Sequence, residues 1–408
     1  MAKKKILIKH FPNLNNYGTG MMGLVTIQGL ADRYGTENVE FYCDFDGYTD
    51  IELIKTELRG YISIHKWEDK TLKKIKKIKY ANKLIRLIYL FYPFVYKSFD
   101  KVIVLGGDDL SEYYSKYWAS FEIIHLWVNS FFTRIILLGQ TLGPFKNKLN
   151  RFAVKFLLPK IDIYARDPWC VEYLKNEFHL SIKQSADLAL LDLPNQNNST
   201  IEKNVLSKYQ LSPNDYFTIV VSGMQHEGYY CKEENTYLEK YKEIIENLLQ
   251  IPELVGKKVV LLAHTFPPYA NEALLISKLL TIISLNIKND IVLITENILQ
   301  TRARFILGNG LFSITGRMHP AVSTFQMKKP AICHSYSSKY KGVIGDSIGR
   351  YDLVIESNNQ YLWESSEIVD LTLNKVKYIL DNFEFITDEI DYTIEKQKNI
   401  VKNTLNSI

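Results

Sequence analysis

The sequence predicts an α/β protein built from two doubly wound Rossmann-like domains and a helical tail at the carboxyl end. Three observations carry that prediction. Short apolar, β-rich runs alternate with longer segments of helical period, the pattern of βαβ units around a parallel sheet. A polar, turn-prone stretch interrupts the alternation, which then resumes. The chain's 408 residues fit two domains at roughly 100–200 residues each.

In the first half, strands are expected at Lys5–Phe11, Val39–Phe45, Lys101–Gly107, Arg134–Gln140 and Ile161–Arg166. The run Pro194-Asn-Gln-Asn-Asn-Ser-Thr200 then marks a boundary. A second series follows at Phe217–Ser222, Lys258–Ala263, Ile291–Thr295, Leu311–Thr315 and Ala331–His334. The expected division is 1–205 for the first domain, 206–360 for the second and 361–408 for the tail. Such a tail is free to pack back on the first domain.

Composition excludes several classes. Hydrophobic residues are 46% and charged residues 23%, ordinary for a folded domain and unlike collagen, disordered chains or coiled coils. A net charge of +5 is too weak for a dedicated nucleic-acid binder, so no nucleic-acid partner is expected. Cys43, Cys170, Cys231 and Cys333 form no C-x-x-C pair, which points to a reducing compartment. His10, His226, His264 and His334 are scattered, and no metal site is expected. The amino terminus is apolar only as far as Lys9, short of a signal core, and the apolar run Leu87–Tyr96 contains Pro93. A cytoplasmic location follows as the expectation.

Ligands of open α/β sheets bind outside the carboxyl ends of the strands, where loops and helix amino termini converge. Four places there stand out. Gly18-Thr-Gly-Met-Met-Gly23 has the G-x-G-x-x-G form, with Asp44 beyond it, but Pro12–Tyr17 separates it from the first strand. A dinucleotide fingerprint needs an almost immediate turn, so a loop near an acceptor or a plain turn fits better. Gly106-Gly-Asp-Asp109 puts carboxylates at the sheet edge, as a base for a hydroxyl or as a helix cap. Leu138-Gly-Gln-Thr-Leu-Gly-Pro144 is followed by Arg166, able to grip an anion through two parallel hydrogen bonds or to pair with Asp167 or Asp187. Last, Thr315-Gly-Arg-Met-His319 closes a strand and opens a helix whose free amides face Arg317 and His319, with Lys339 to follow.

Taken in order, these elements resemble the polysaccharide pyruvyl transferases. The resemblance rests on Gly106 and Gly107, the Gly-Gln-Thr-x-Gly-Pro run of 139–144, Arg166, Ser185-Ala-Asp187, Gly316-Arg-x-His319 and Tyr336-x-x-Lys339. It implies a two-domain GT-B-like fold and transfer of the pyruvyl group of phosphoenolpyruvate onto two hydroxyls of one sugar. The product is a cyclic ketal and the by-product phosphate, with no cofactor. It implies donor binding by Arg166, Arg317 and Lys339, with His319 activating the donor. The acceptor falls to Asn16, Gly18, Gly106, Gly107, Gln140 and Thr141. Asp108 stands where the family has a third glycine, and Thr19 where its amino-terminal loop has an aspartate.

The residue types agree with that chemistry. A donor carrying phosphate and carboxylate needs separated cations, which Arg166, Arg317 and Lys339 supply. Protonating its methylene wants an acid that works near neutrality, and an imidazole is the natural choice, making His319 the expected general acid. Asp108 or Asp109 is the expected base. From Lys70 to Phe99 there is no acidic residue, and lysines interleave with Ile75, Ile78, Leu84, Ile88, Phe91, Tyr92 and Phe94. Peripheral contact of residues 70–99 with an anionic membrane face is expected, to meet a lipid-linked acceptor. The alternative is that this segment packs on the first domain with its lysines solvated. Two rival functions share the sequence features: a nucleotide-sugar glycosyltransferase, with Glu356 or Asp352 gripping a ribose, and a non-catalytic sugar-binding protein.

Overall fold

The computed structural model describes residues 3–69, 89–113, 115–224 and 230–408. The chain divides into two compact units. Unit 1 comprises Met1–Leu14, Thr19–Leu188 and Asn399–Ile408; unit 2 comprises Asn15–Gly18 and Ala189–Lys398.

Unit 1 is built on a seven-stranded sheet in the order β3-β2-β1-β4-β5-β6-β7. The strands are β1 (Lys4–Lys9), β2 (Val39–Cys43), β3 (Ser63–Lys66), β4 (Lys101–Leu105), β5 (Arg134–Gln140), β6 (Asp162–Ala165) and β7 (Lys183–Gln184). Every pairing is parallel, for example Ile6↔Lys101 and Ile8↔Ile103 between β1 and β4. Helices cover parallel strands on both faces, so the central strands carry unbroken apolar runs: Val102, Ile103, Val104 and Leu105 are all fully buried. On one side the core gathers Leu7, Val102 and Val104 with Ile123 and Leu126 of the helix Trp118–Asn129 and with Val154 and Leu174.

Unit 2 repeats the plan with six parallel strands in the order β10-β9-β8-β11-β12-β13. These are β8 (Tyr216–Val220), β9 (Lys258–Leu262), β10 (Ile291–Ile294), β11 (Ser313–Thr315), β12 (Ala331–Ser335) and β13 (Val354–Glu356). Its helices Gln300–Asn309 and Met318–Gln326 are buried almost all round. Arg304 is fully buried and fastens the chain at the start of the unit, donating to the carbonyls of Ala189 (2.6 Å) and Leu191 (2.9 Å).

All ten expected strands are present, within one to two residues of the expected bounds at most ends. The edge strands β3, β7 and β13 add to them. The chain passes from unit 1 to unit 2 at Leu188–Ala189 rather than at 205, because the helix Ser199–Lys208 packs on Gln300–Asn309 of unit 2. The tail forms two long helices, Glu367–Asp381 and Phe383–Ser407. The last ten residues, Asn399–Ile408, belong to unit 1. There Leu405 packs on Gly29, Arg33 donates to Leu405 O (3.1 Å) and Tyr34 to Ile408 O (3.0 Å).

Candidate active site

In each sheet the crossovers turn in opposite directions about one pair of strands, β1 and β4 in unit 1 and β8 and β11 in unit 2. A crevice opens at such a switch point. In unit 2, β11 ends at Thr315 and the helix Met318–Gln326 begins three residues later, so the Gly316-Arg317 link forms the turn. Thr315 Oγ1 accepts from Arg317 N (2.9 Å) and donates to Arg317 O (2.8 Å), fixing it. Gly316 is required: a Cβ there would lie 2.8 Å from Ser222 Cβ. Its carbonyl accepts from the hydroxyls of Tyr230 and Tyr340.

Arg317 is anchored by Glu272. Arg317 Nε donates to Glu272 Oε1 at 2.6 Å, and the carboxylate is fully buried at the start of the helix Glu272–Ile282. Glu272 also accepts from the backbone amides of His264 and Thr265, both at 2.9 Å, and of Gly223 at 3.3 Å. Burial alone would lower the guanidinium's pKa, but the Glu272 charge raises it instead, so Arg317 is a permanent cation. Its Nη2 is buried with no hydrogen-bond partner among the described residues, so half of the guanidinium fork is uncommitted.

His319 follows two residues on. The chain segment Asn15–Gly18 lies against it: a Cβ on Gly18 would sit 2.2 Å from His319 Nδ1. That segment is stitched to unit 2 by Tyr17 N to His264 O (3.2 Å), Phe266 N to Asn15 O (2.8 Å) and an isolated bridge between Asn16 and Thr265. Asn16 Oδ1 in turn accepts from Gly18 N (3.1 Å). The glycines of Gly18–Gly23 therefore lie within the helix Tyr17–Tyr34, not in a phosphate loop, and Gly23 serves contact with the Phe11 ring. Burial, reinforced by the nearby charges of His319, Arg317 and Arg304, holds His264 well below the usual imidazole range, so it is neutral.

Lys339 is buried, donates to Tyr336 OH and stands over the Tyr336 ring at 4.4 Å. Tyr336 packs edge-on against Tyr230 and Tyr340. Tyr230 and Tyr340 bond the Gly316 carbonyl, and Tyr336 and Tyr230 lie within electrostatic range of Arg317. Arg317 and Lys339 are thus joined through Tyr336, and His319 follows Arg317 by two residues. His334 is a different kind of histidine: burial lowers it to about 3, and Tyr241 OH and Thr372 Oγ1 hold its two ring nitrogens at 2.9 Å each. It is part of the packing.

The remaining expected residues lie in unit 1. Gly106 permits contact between the ends of β4 and β5, since a Cβ would fall 1.7 Å from Gly139 O. Gly107 O accepts from Thr141 N (2.9 Å). Asp108 is buried, whereas Asp109 is half exposed. Gln140 is fully buried and donates to Leu105 O (3.0 Å). Thr141 Oγ1 bonds Asp167 (2.5 Å) and accepts from Arg166 Nε (2.8 Å). Arg166 and Asp187 are both buried and pair at 3.4 Å, the ion pair weighed from the sequence. Asp167 caps the helix Pro168–Phe178, accepting from Cys170 N at 2.8 Å.

Sequence reasoning passed over Glu272 and the two tyrosines that bond Gly316, Tyr230 and Tyr340. An acid in a first helical turn looks like ordinary dipole pairing, and nothing local links position 272 to 317. Among the described residues no group of three or more His, Cys, Asp or Glu is placed to hold a metal ion, and no helix is long and apolar enough to cross a membrane.

No curated protein matches the sequence. Among solved structures, the UDP-GlcNAc 2-epimerase from Neisseria meningitidis bound to UDP-GlcNAc aligns with a TM-score of 0.60 at 10% identity, covering 100% of both chains. A putative UDP-N-acetylglucosamine 2-epimerase from Listeria monocytogenes gives 0.57 at 13%, covering 96% of this chain and 91% of that one. The S. aureus MnaA-UDP co-structure gives 0.56 at 13%, covering 100% and 98%. At such identities the likeness establishes the GT-B fold and no more. The family model that describes polysaccharide pyruvyl transferase matches residues 16–338, a span that holds the glycine pair after β4, the Arg166–Asp187 pair and the Arg317-x-His319 turn. The chain is a member of the polysaccharide pyruvyl transferase family, and a transferase.

Proposed function

We propose that this transferase moves the pyruvyl group of phosphoenolpyruvate onto two hydroxyls of a sugar in a bacterial surface polysaccharide or its precursor. The observation that carries the proposal is Arg317: a permanent buried cation whose Nη2 has no hydrogen-bond partner among the described residues, at a helix amino terminus, two residues from an imidazole. A small dianion suits that cation. In this reading Arg317 and Lys339 take the donor's phosphate and carboxylate, and His319 delivers a proton to the donor methylene. Arg166 is assigned to the donor by the family pattern. The first sugar hydroxyl then bonds C2, phosphate leaves, and the second hydroxyl closes the ketal. Of the two protons released, one replaces that given by His319 and the other leaves with phosphate. Asp109 is the preferred base, being half exposed where Asp108 is buried. The acceptor is assigned to the edge formed by Gly106 and Gly107, which Gln140 and Thr141 support through their bonds to Leu105 and Asp167. Gly18 is reassigned to the donor side because it packs beside His319, and Asn16 goes with it because its Oδ1 accepts from Gly18 N.

The test is phosphate release from phosphoenolpyruvate with a galactoside acceptor, run beside UDP-sugar hydrolysis. Donor-dependent release that H319A lowers by about 10²–10⁴-fold is expected; retention within tenfold would end the acid assignment. The structural neighbours from S. aureus and Neisseria meningitidis hold UDP and UDP-GlcNAc, which is the ground for a nucleotide-sugar reading. Against it, Glu356 accepts from Tyr351 and Asp352 pairs with Arg350, so both expected ribose ligands are engaged.

We also propose peripheral contact with an anionic leaflet on the inner face of the membrane. Of the segment 70–99, residues 70–88 lie outside those described. In the remainder, Phe91, Tyr92 and Phe94 are exposed, and Phe94 packs on exposed Phe132. Exposed Leu149, Phe152 and Phe156 line one face of the helix Lys148–Phe156. Between Tyr113 and Lys160 there are seven Lys and Arg residues and one acid, Glu122, which is buried. Aromatic anchors in a basic field match an anionic bilayer. Flotation with phosphatidylglycerol vesicles should occur at low salt, weaken at high salt and fail for F152S/F156S; no binding at low salt removes the idea.

A further inference from the structure

The switch point of unit 1 lies between β1 and β4, and a cavity of about 270 Å³ opens beside it, lined by His10, Asp109, Ser115 and Trp118. His10 directly follows β1 and has φ of 62°. A left-handed residue other than glycine persists when its surroundings over-determine it, and such residues gather at functional sites. Here Asp44 does the fixing: its two oxygens accept from His10 N (2.9 Å) and Phe11 N (3.0 Å). The consequence is an imidazole turned to Asp109, with Nδ1 3.6 Å from Oδ2, and to Glu122, with Nε2 4.0 Å from Oε1. His10 Nδ1 is buried and has no hydrogen-bond partner among the described residues. Trp118, at the start of the helix Trp118–Asn129, leaves 48% of its surface exposed.

Among the described residues the lining has a flat indole face, a carboxylate, an imidazole and a hydroxyl, and no lysine or arginine. Such a cavity repels a phosphorylated donor and suits a neutral polyol, which offers an apolar ring face and several hydroxyls. We propose that it is the acceptor subsite. Trp118 stacks on one face of a pyranose, and Asp109, held beside His10, receives the proton of the attacking hydroxyl. As that hydroxyl oxygen bonds C2 of the donor, its O–H bond breaks and the proton passes to the Asp109 carboxylate. The proton step rests on the pyruvyl-transfer reading; the sugar contact does not.

The test pairs kinetics with direct binding in the full-length protein. W118A should raise the acceptor KM about tenfold or more with the phosphoenolpyruvate KM unchanged, and W118F should restore it. D109N should lower kcat by about 10²-fold or more with the melting temperature kept, and H10Q should lower kcat with a smaller change in KM. If W118A and D109N both keep acceptor KM and kcat within twofold while the wild type turns over, the subsite is wrong and the transferase reading stands. If the wild type releases no phosphate with any acceptor, the transferase reading fails, and saturation-transfer NMR with methyl galactoside, methyl mannoside and methyl N-acetylglucosaminide decides the subsite. A signal that W118A abolishes and W118F keeps upholds it. No signal, or one indifferent to Trp118, overturns it.

Discussion

Gly18→Ala sets two elementary effects against each other. Position 18 is in the first turn of the helix Tyr17–Tyr34, where alanine is favoured over glycine by up to about 1 kcal/mol. By propensity alone the variant is more stable. The packing demands the reverse. The new Cβ would fall 2.2 Å from His319 Nδ1, 2.4 Å from Cγ and 2.9 Å from Cβ, where ordinary contact begins at 3.4 Å. The imidazole has to withdraw by roughly 1.2 Å, or the segment Asn15–Gly18 has to lift from its bonds to His264 and Phe266. Overpacking of this kind costs about 1–3 kcal/mol, which outweighs the helix gain.

A reacting group displaced by about 1 Å can lose 10²-fold in rate. If His319 is the proton donor, G18A should therefore lower kcat by about 10²-fold while the protein stays folded. Phosphate release measures the rate, urea denaturation the stability, and the imidazole resonances of His319 the displacement, the last without reference to any reaction. A variant more stable than wild type, with His319 resonances unmoved, would refute the contact itself. Displaced resonances with kcat within twofold would leave the contact and remove the acid role.

Three further outcomes follow from the same geometry. Glu272→Gln strips a buried guanidinium of its counter-charge and should cost about 3–5 kcal/mol; phosphoenolpyruvate, by restoring negative charge, should then raise the melting temperature more than it does in wild type. For Glu122, burial alone would push the carboxyl up, but the Lys9 ammonium at 2.8 Å, with His10 nearby, holds it down at about 2. Its contribution, on the order of 3 kcal/mol from that shift, is complete above the ordinary carboxyl pKa and lost as pH falls toward 2, so urea midpoints for E122Q should show a shallower acid slope than wild type. Gly106→Ala would force a Cβ to 1.7 Å from Gly139 O and should prevent soluble folded protein from accumulating; a folded variant within about 1 kcal/mol of wild type would contradict the close approach of β4 and β5.

How much of this was legible in the residues differs by element. The central strands were, because a parallel strand covered on both faces has to be apolar throughout. Of the four edge strands, β10 was, but β3, β7 and β13 were not. β7 is Lys183–Gln184, exposed at both positions, and β3 buries one residue in four; pairing on one side asks for no apolar run. The unit boundary was displaced for a related reason. Polarity at Pro194–Thr200 marks a surface loop, but surface loops occur inside domains too. What assigns Ala189–Leu191 to unit 2 is Arg304, more than a hundred residues later in the sequence, holding their carbonyls. The amino-terminal segment repeats the lesson: Asn15–Gly18 precedes nearly all of unit 1 in sequence but makes its contacts in unit 2.

The site divides along the same line. Arg317 and His319 could be found because a strand end followed by a helix start concentrates amides and polar side chains within five residues, a local signal. Glu272 could not, and Gly18 reads in the sequence as an acceptor residue rather than as a neighbour of His319, since each matters through a partner distant in sequence: Arg317 Nε at 2.6 Å for one, the His319 ring for the other. A local motif therefore names the groups able to act on a ligand, while the residues that fix their charge and position are supplied by the fold. Loss of activity at Arg317 would fit several chemistries; loss at Gly18, where the added methyl meets the His319 ring, tests a placement no motif contains.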